Sequence, residues 1–201
     1  MYVVSLTKLD KGKVKICLDN GTDFTLYKAE VAHFELEEDK ELSQSAYEQI
    51  LTDILIPRCK KRGLHLLEKQ DRTEANLREK LLAGGYPEFV VDEAIAYIDS
   101  FGYIDDERMA RSHIRFYQNS RSKRRIKQDL LHKGIDSEVI ECCIEEEYEI
   151  DEVELAVNAL QKKNYNFEES TYEEKNKAYR FLASRGFSSD VISKVIHNMF
   201  E

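Results

Sequence analysis

Nine basic side chains fall between residues 108 and 133: Arg108, Arg111, Arg115, Arg121, Lys123, Arg124, Arg125, Lys127 and Lys133. The only acid among them is Asp129. Arginine forks grip phosphates and carboxylates bidentately, and lysine supplies a point charge. The stretch therefore has the chemistry of a contact with nucleic acid or with an acidic protein surface. Five of the cations, from Arg121 to Lys127, crowd one expected helix start. Positive charge opposes the dipole there, so helix stability does not account for them. A basic run is more often a solvated face, but the acidic remainder of the chain argues against that reading here. Phe116 and Tyr117 lie inside the stretch. One of them suits the core, and either ring suits stacking on a base.

Other groupings read as structural. Asp105-Asp106-Glu107 has the pattern of a helix start, with a cap followed by acids at the positive end of the dipole. The acidic run from Glu145 to Glu154 lacks the ligand spacing of a calcium loop. It reads as a solvated segment that repels DNA or shields the basic stretch. His33, His65, His113, His132 and His197 share no ligand spacing, so no metal is expected. No phosphate-binding glycine loop and no nucleophile motif is present. The chain is accordingly expected to be a binding protein rather than an enzyme, with no cofactor. Cys17, Cys59, Cys142 and Cys143 form no C-x-x-C pair, and no apolar run approaches a membrane span. A cytoplasmic location follows as the expectation, with no membrane partner.

The net charge of −9 hides an asymmetry. Residues 1–57 carry 6 basic and 11 acidic side chains, residues 58–133 carry 17 and 12, and residues 134–201 carry 7 and 16. The middle has the opposite sign from both ends, which suits a polyelectrolyte partner or a charged protein groove.

The elements that must position these groups are mostly helical. The N-terminus is the exception. Tyr2–Leu6, the alternating Val14, Ile16 and Leu18, and Phe24 with Leu26 predict a three-stranded meander. Asn20-Gly21 predicts a two-residue hairpin turn with both residues at positive φ. Such a sheet is too small to stand alone. Its expected cover is a short helix near 29–34 and a longer one starting after Ser43 or Ser45. Pro57 is expected to end or kink that helix, which sets a module boundary there.

Beyond residue 57 an internal repeat appears. Leu81–Val91, Leu130–Ile140 and Leu182–Ile192 align at offsets of 49 and 52 residues. Gly85, Gly134 and Gly186 coincide, each followed by a large apolar residue: Tyr86, Ile135 and Phe187. A helix ends on a left-handed glycine, the apolar side chain wedges the corner, and Pro87, Asp136 or Ser188 opens the next helix. With a helix before each pair, three three-helix repeats are predicted. Their helices run over 58–69, 73–83 and 87–99, then 106–118, 122–132 and 136–148, then 152–163, 171–184 and 188–200. The expected fold is mainly α, an elongated curved array of three repeats behind a small β module. Its divisions fall at 1–57, 58–104, 105–150 and 151–201.

At this point the residues resemble a known family. Arg72-Thr73-Glu74 with Leu77–Leu81, Phe101–Ala110, and Arg125–Leu130 with Lys133-Gly134-Ile135 are similar to motifs of the RecX family. Many members have Gly-Pro before the second helix of the second repeat, where this chain has Ser122-Lys123. The resemblance implies a regulator that binds the RecA recombinase on single-stranded DNA and lies in the filament groove. It would suppress ATP hydrolysis, strand exchange and filament-assisted repressor cleavage in the SOS response and recombinational repair. A monomer is expected, with the nine cations of residues 108–133 as its contacts. The alternative is a protein that binds nucleic acid directly through a helix-turn-helix-like module.

Overall fold

The computed structural model describes residues 1–166 and 170–197. Strands β1 (Val3–Lys8), β2 (Lys13–Leu18) and β3 (Asp23–Tyr27) form the antiparallel meander in the order β1-β2-β3. Val14, Ile16 and Leu18 alternate inward on β2, opposite Leu26, Phe24 and Thr22 across the hairpin. The turn differs from the expected two-residue form. Of its residues only Gly21 has positive φ, at 81°. Gly21 donates to the Leu18 carbonyl, Leu18 N–H to that of Thr22, and Thr22 N–H to Asn20 Oδ1. This is a three-residue loop, a type I turn followed by a left-handed glycine. Asn20 uses its side chain as an acceptor instead of adopting the left-handed backbone.

The cover is helical, as expected. Helix α1 (Lys28–His33) follows β3, and Ser43 Oγ caps α2 (Gln44–Gln49) at Ala46 N–H. Pro57 does not end the helix. A π turn over Ile50–Leu55 runs directly into α3 (Ile56–Lys69), and Ile56 N–H reaches back to the Leu51 carbonyl. One wide turn ahead of the proline absorbs both its missing donor and its ring's clash with the preceding turn. Tyr47, Ile50, Leu55 and Cys59 therefore stay on one buried side. They join Ile16, Phe24 and Leu26 of the sheet in a single core that continues into α4 (Glu74–Leu82) and α5 (Glu88–Asp99). Burying each of the larger side chains contributes about 1.5–3 kcal/mol.

The remaining helices follow the repeat: α6 (Asp106–Tyr117), α7 (Lys123–His132), α8 (Ser137–Glu147), α9 (Glu152–Gln161), α10 (Tyr172–Ser184) and α11 (Ser189–His197). The expected extension of the last helix to 200 lies outside the described residues. Within each repeat the first and third helices pack side by side and the second closes over them. The chain divides into two compact units, residues 1–105 and 106–201.

The repeat's corners are built as expected. Gly85, Gly134 and Gly186 have φ of 84°, 79° and 86°. In the second and third repeats Ile135 N–H reaches the Leu130 carbonyl and Phe187 N–H that of Leu182, which closes a Schellman turn. Thr73, Ser122, Asp136, Thr171 and Ser188 all accept from backbone amides of the following helix. Ser122 does more. It is fully buried, and its hydroxyl also donates to the Arg185 carbonyl at 3.0 Å, joining the second repeat to the corner of the third. The first-repeat glycine meets a different neighbour: its carbonyl accepts from Thr25 N–H, so β3 docks on this corner.

Candidate functional site

The nine predicted cations gather on α6, α7 and the turns around them. Arg108, Arg111 and Arg115 stand on α6, Arg121 in the turn, Lys123, Arg124, Arg125 and Lys127 on α7, and Lys133 at its end. Sequence alone makes this a bare positive surface, but α8 supplies much of its countercharge. Arg111 meets Glu107 at 2.7 Å, Glu146 at 2.6 Å and Glu147 at 3.1 Å. Arg115 forks onto Glu147 at 2.5 and 2.6 Å. Arg121 and Arg125 share Asp129, and Lys127 pairs with Glu141. The carboxylates of Glu107, Glu146 and Glu147, in that order, push the Arg111 guanidinium further up. The Arg115 bond holds the Glu147 carboxyl down at about 2. The acidic run is thus no solvated segment throughout: Glu146 and Glu147 sit on the last turn of α8, and Glu147 is only 14% exposed. Its predicted shielding of the cations is what the ion pairs amount to.

The turn between α6 and α7 is held in several ways. Arg121 stacks on the Tyr117 ring at 3.7 Å, and Tyr148 Oη donates to the Arg121 carbonyl. Lys123 N–H donates to Glu152 Oε1, and its ammonium lies 5.3 Å from the Tyr148 ring. Tyr117 packs on the core of the second repeat, whereas Phe116 is 75% exposed. Of the two aromatics, Phe116 is the one available for stacking. Arg124 is exposed and makes no ion pair or hydrogen bond among the described residues.

A second basic region escaped the sequence reading. Arg58, Lys60, Lys61 and Arg62 crowd the start of α3. Their density was visible in the sequence but was pooled into the charge of 58–133. They adjoin a cleft of about 940 Å³ between β3, α3 and the end of α4, lined by Lys61, Arg62, Arg72 and Lys80 among others. In its wall Arg58 pairs with Glu30 and covers the Tyr27 ring at 4.9 Å. Lys60 covers Tyr97, which packs with Phe101 and, through it, Tyr103 in an exposed aromatic row.

Among the described residues no group of His, Cys, Asp and Glu could hold a metal. The four cysteines are free. No described helix is long and apolar enough to cross a membrane.

Comparison with known proteins bears on this geometry. Models of the first, second and third three-helix domains of RecX match residues 59–97, 105–143 and 149–196. The chain is 30% identical over 203 residues to the Regulatory protein RecX of Clostridium beijerinckii, spanning 98% of this chain and 93% of that one. A crystal structure of regulatory protein RecX superposes with a TM-score of 0.64 at 25% identity, covering 98% of both chains. The crystal structure of RecX from Lactobacillus salivarius gives 0.62 at 27% identity, covering 72% of this chain and 96% of that one.

Proposed function

The chain belongs to the RecX family of regulatory proteins, and from that premise we propose that it binds RecA filaments on single-stranded DNA and restrains them. The observation that carries this reading is the tandem of three RecX domains together with a cationic α6–α7 surface. That surface contacts acidic protein or phosphate in the filament. ATP hydrolysis, strand exchange and assisted repressor cleavage all require the filament to cycle or open, so a ligand fixed along it suppresses all three. The regulator acts by binding alone, as a cytoplasmic monomer.

The ion pairs support the chemistry. Arg115, Arg125 and Lys127 already hold carboxylates in the geometry that a partner's carboxylate or phosphate would take. Exposed pairs of this kind contribute only about 0–1 kcal/mol, so exchanging Glu141 for a partner's anion costs little. Several such contacts add through multivalency. The internal acids also give selectivity, because weak single anions do not displace them.

The test is the DNA-dependent ATPase of the matched RecA. Wild-type protein should suppress it. A variant carrying Arg121→Glu, Arg124→Glu and Arg125→Glu should need at least tenfold more protein for the same suppression. Full inhibition by that variant would overturn the assignment of the surface. Gel shifts on naked DNA beside filament should favour the filament. Equal affinity for both would point to direct nucleic-acid binding instead.

A further inference from the structure

The geometry points to a second anion-binding site, the cleft of the N-terminal unit, built to hold a single-stranded phosphodiester chain. It goes beyond the α6–α7 surface and rests on the reading above only for where such a strand is met.

Three observations carry it. The first is unmet charge. On α6 and α7, Arg111, Arg115, Arg121, Arg125 and Lys127 all have carboxylate partners. In the cleft the balance is reversed. Lys13, Lys61, Arg62 and Lys80 line it without an ion pair among the described residues, and its one lining acid, Glu68, lies beside His65. Like charges gathered along one concave wall repel one another, and an anion between them removes that cost.

The second is an unsatisfied donor. Arg72 also lines the cleft. Its Nη1 donates to Asn76 Oδ1 at 2.8 Å, but its Nε is buried and has no acceptor. Buried donors are nearly always satisfied, and leaving one unpaired is costly. Arg72 therefore has hydrogen-bonding capacity to spare at the cleft it lines, and phosphate is the acceptor a guanidinium takes best.

The third is the aromatic lining. The Tyr27 ring is 42% exposed at the cleft. Arg58 holds it in place from one side, at 4.9 Å. Tyr86, the wedge of the first repeat, is half-buried there, and burial pushes its phenol up to about 12, so it remains a neutral donor. Cations alternating with aromatic rings are the composition of single-strand grooves, in which charge tracks the backbone and rings stack on bases. An acidic peptide would use the cations and leave the rings idle. A duplex is read by a protruding helix or ribbon rather than by a concave wall.

The test uses the full chain and a short fluorescein-labelled oligothymidylate, followed by anisotropy across a salt series. The double variant Lys61→Glu/Arg62→Glu changes exposed side chains only, and an unaltered melting curve confirms its fold. Its affinity should fall at least tenfold. The slope of log K against log salt should become shallower by about 0.7 for each of the two lost contacts. Tyr27→Ala should weaken binding roughly tenfold through lost stacking. Unchanged affinity and slope in the double variant would overturn the proposal. So would poly-glutamate displacing the oligonucleotide as well as unlabelled oligothymidylate does. The RecA ATPase separates this idea from the previous one. A double variant that binds the strand normally, beside an α6–α7 variant that no longer inhibits, refutes the cleft and leaves the regulator reading intact. The reverse pattern refutes the α6–α7 surface and keeps the cleft.

Discussion

The hydroxyl of Ser122 accepts from Arg125 N–H at 3.2 Å and donates to the Arg185 carbonyl at 3.0 Å, within a site closed to solvent. Alanine there removes a helix cap and the hydrogen bond to the Arg185 carbonyl, which together cost about 1–3 kcal/mol. Urea unfolding of Ser122→Ala should show that loss, and an unchanged midpoint would remove Ser122 from the joint. The facing glycine is equally constrained. A Cβ on Gly186 would lie 2.8 Å from Ser122 Oγ and 3.3 Å from Arg125 N, at a φ of 86°. The residue scale also sets an acid limit. Glu147 is held at about 2 by Arg115 and Arg111, well below its usual 4.5. A lowered folded value means the carboxylate form favours the fold. Its contribution is complete above about pH 4.5 and is lost as pH falls towards about 2. Glu147→Gln should therefore be less stable than wild type at neutral pH, with the gap closing through that window. A gap that stays constant with pH would dissociate Glu147 from the acid transition.

At the scale of elements, α3 and α5 approach closely at Gly63. A Cβ on Gly63 would collide with Ile98 Cδ1, the end of a fully buried side chain. Gly63→Ala should cost about 1–3 kcal/mol by overpacking, despite alanine's better helix propensity. Adding Ile98→Val removes the struck atom, so the double variant should be more stable than the two single losses sum to, a coupling readable in a double-mutant cycle. Simple additivity would place the clash elsewhere. The helices and their corners were legible in the sequence because local chemistry dictates them. Gly134 and Gly186 must take a left-handed backbone, and Thr73, Ser122 and Thr171 cap at their own helix starts. Two expectations in the N-terminal unit are met differently by the backbone. Pro57 sits in a continuous helix because the π turn before it makes room, and that turn keeps Ile50 and Leu55 against the sheet. Asn20 departs from the expected turn because its side chain finds Thr22 N–H.

For the molecule as a whole, the charge map was legible in sign but not in availability. Arg111 and Glu147 are 36 residues apart, and only the packing of α6 on α8 reveals that they cancel. The cleft cations were legible as a dense run at 58–62, but the strand that encloses them comes from residues 25–27. A protein of net charge −9 that binds a polyanion must do so through such local fields. Its association with a filament should therefore slow as salt rises and the Debye length shrinks, although the net charge alone predicts the opposite. The two basic regions belong to different compact units. Their contributions should accordingly be independent. Reversing Lys61 and Arg62, and separately Arg121, Arg124 and Arg125, should each lower filament affinity, and the combined variant should lose the product of the two factors. Stopped-flow and equilibrium titration over a salt series would read both effects. Rates that rise with salt would show that the net negative charge governs the encounter. A combined variant no weaker than the worse of its parents would show that only one of the regions touches the filament.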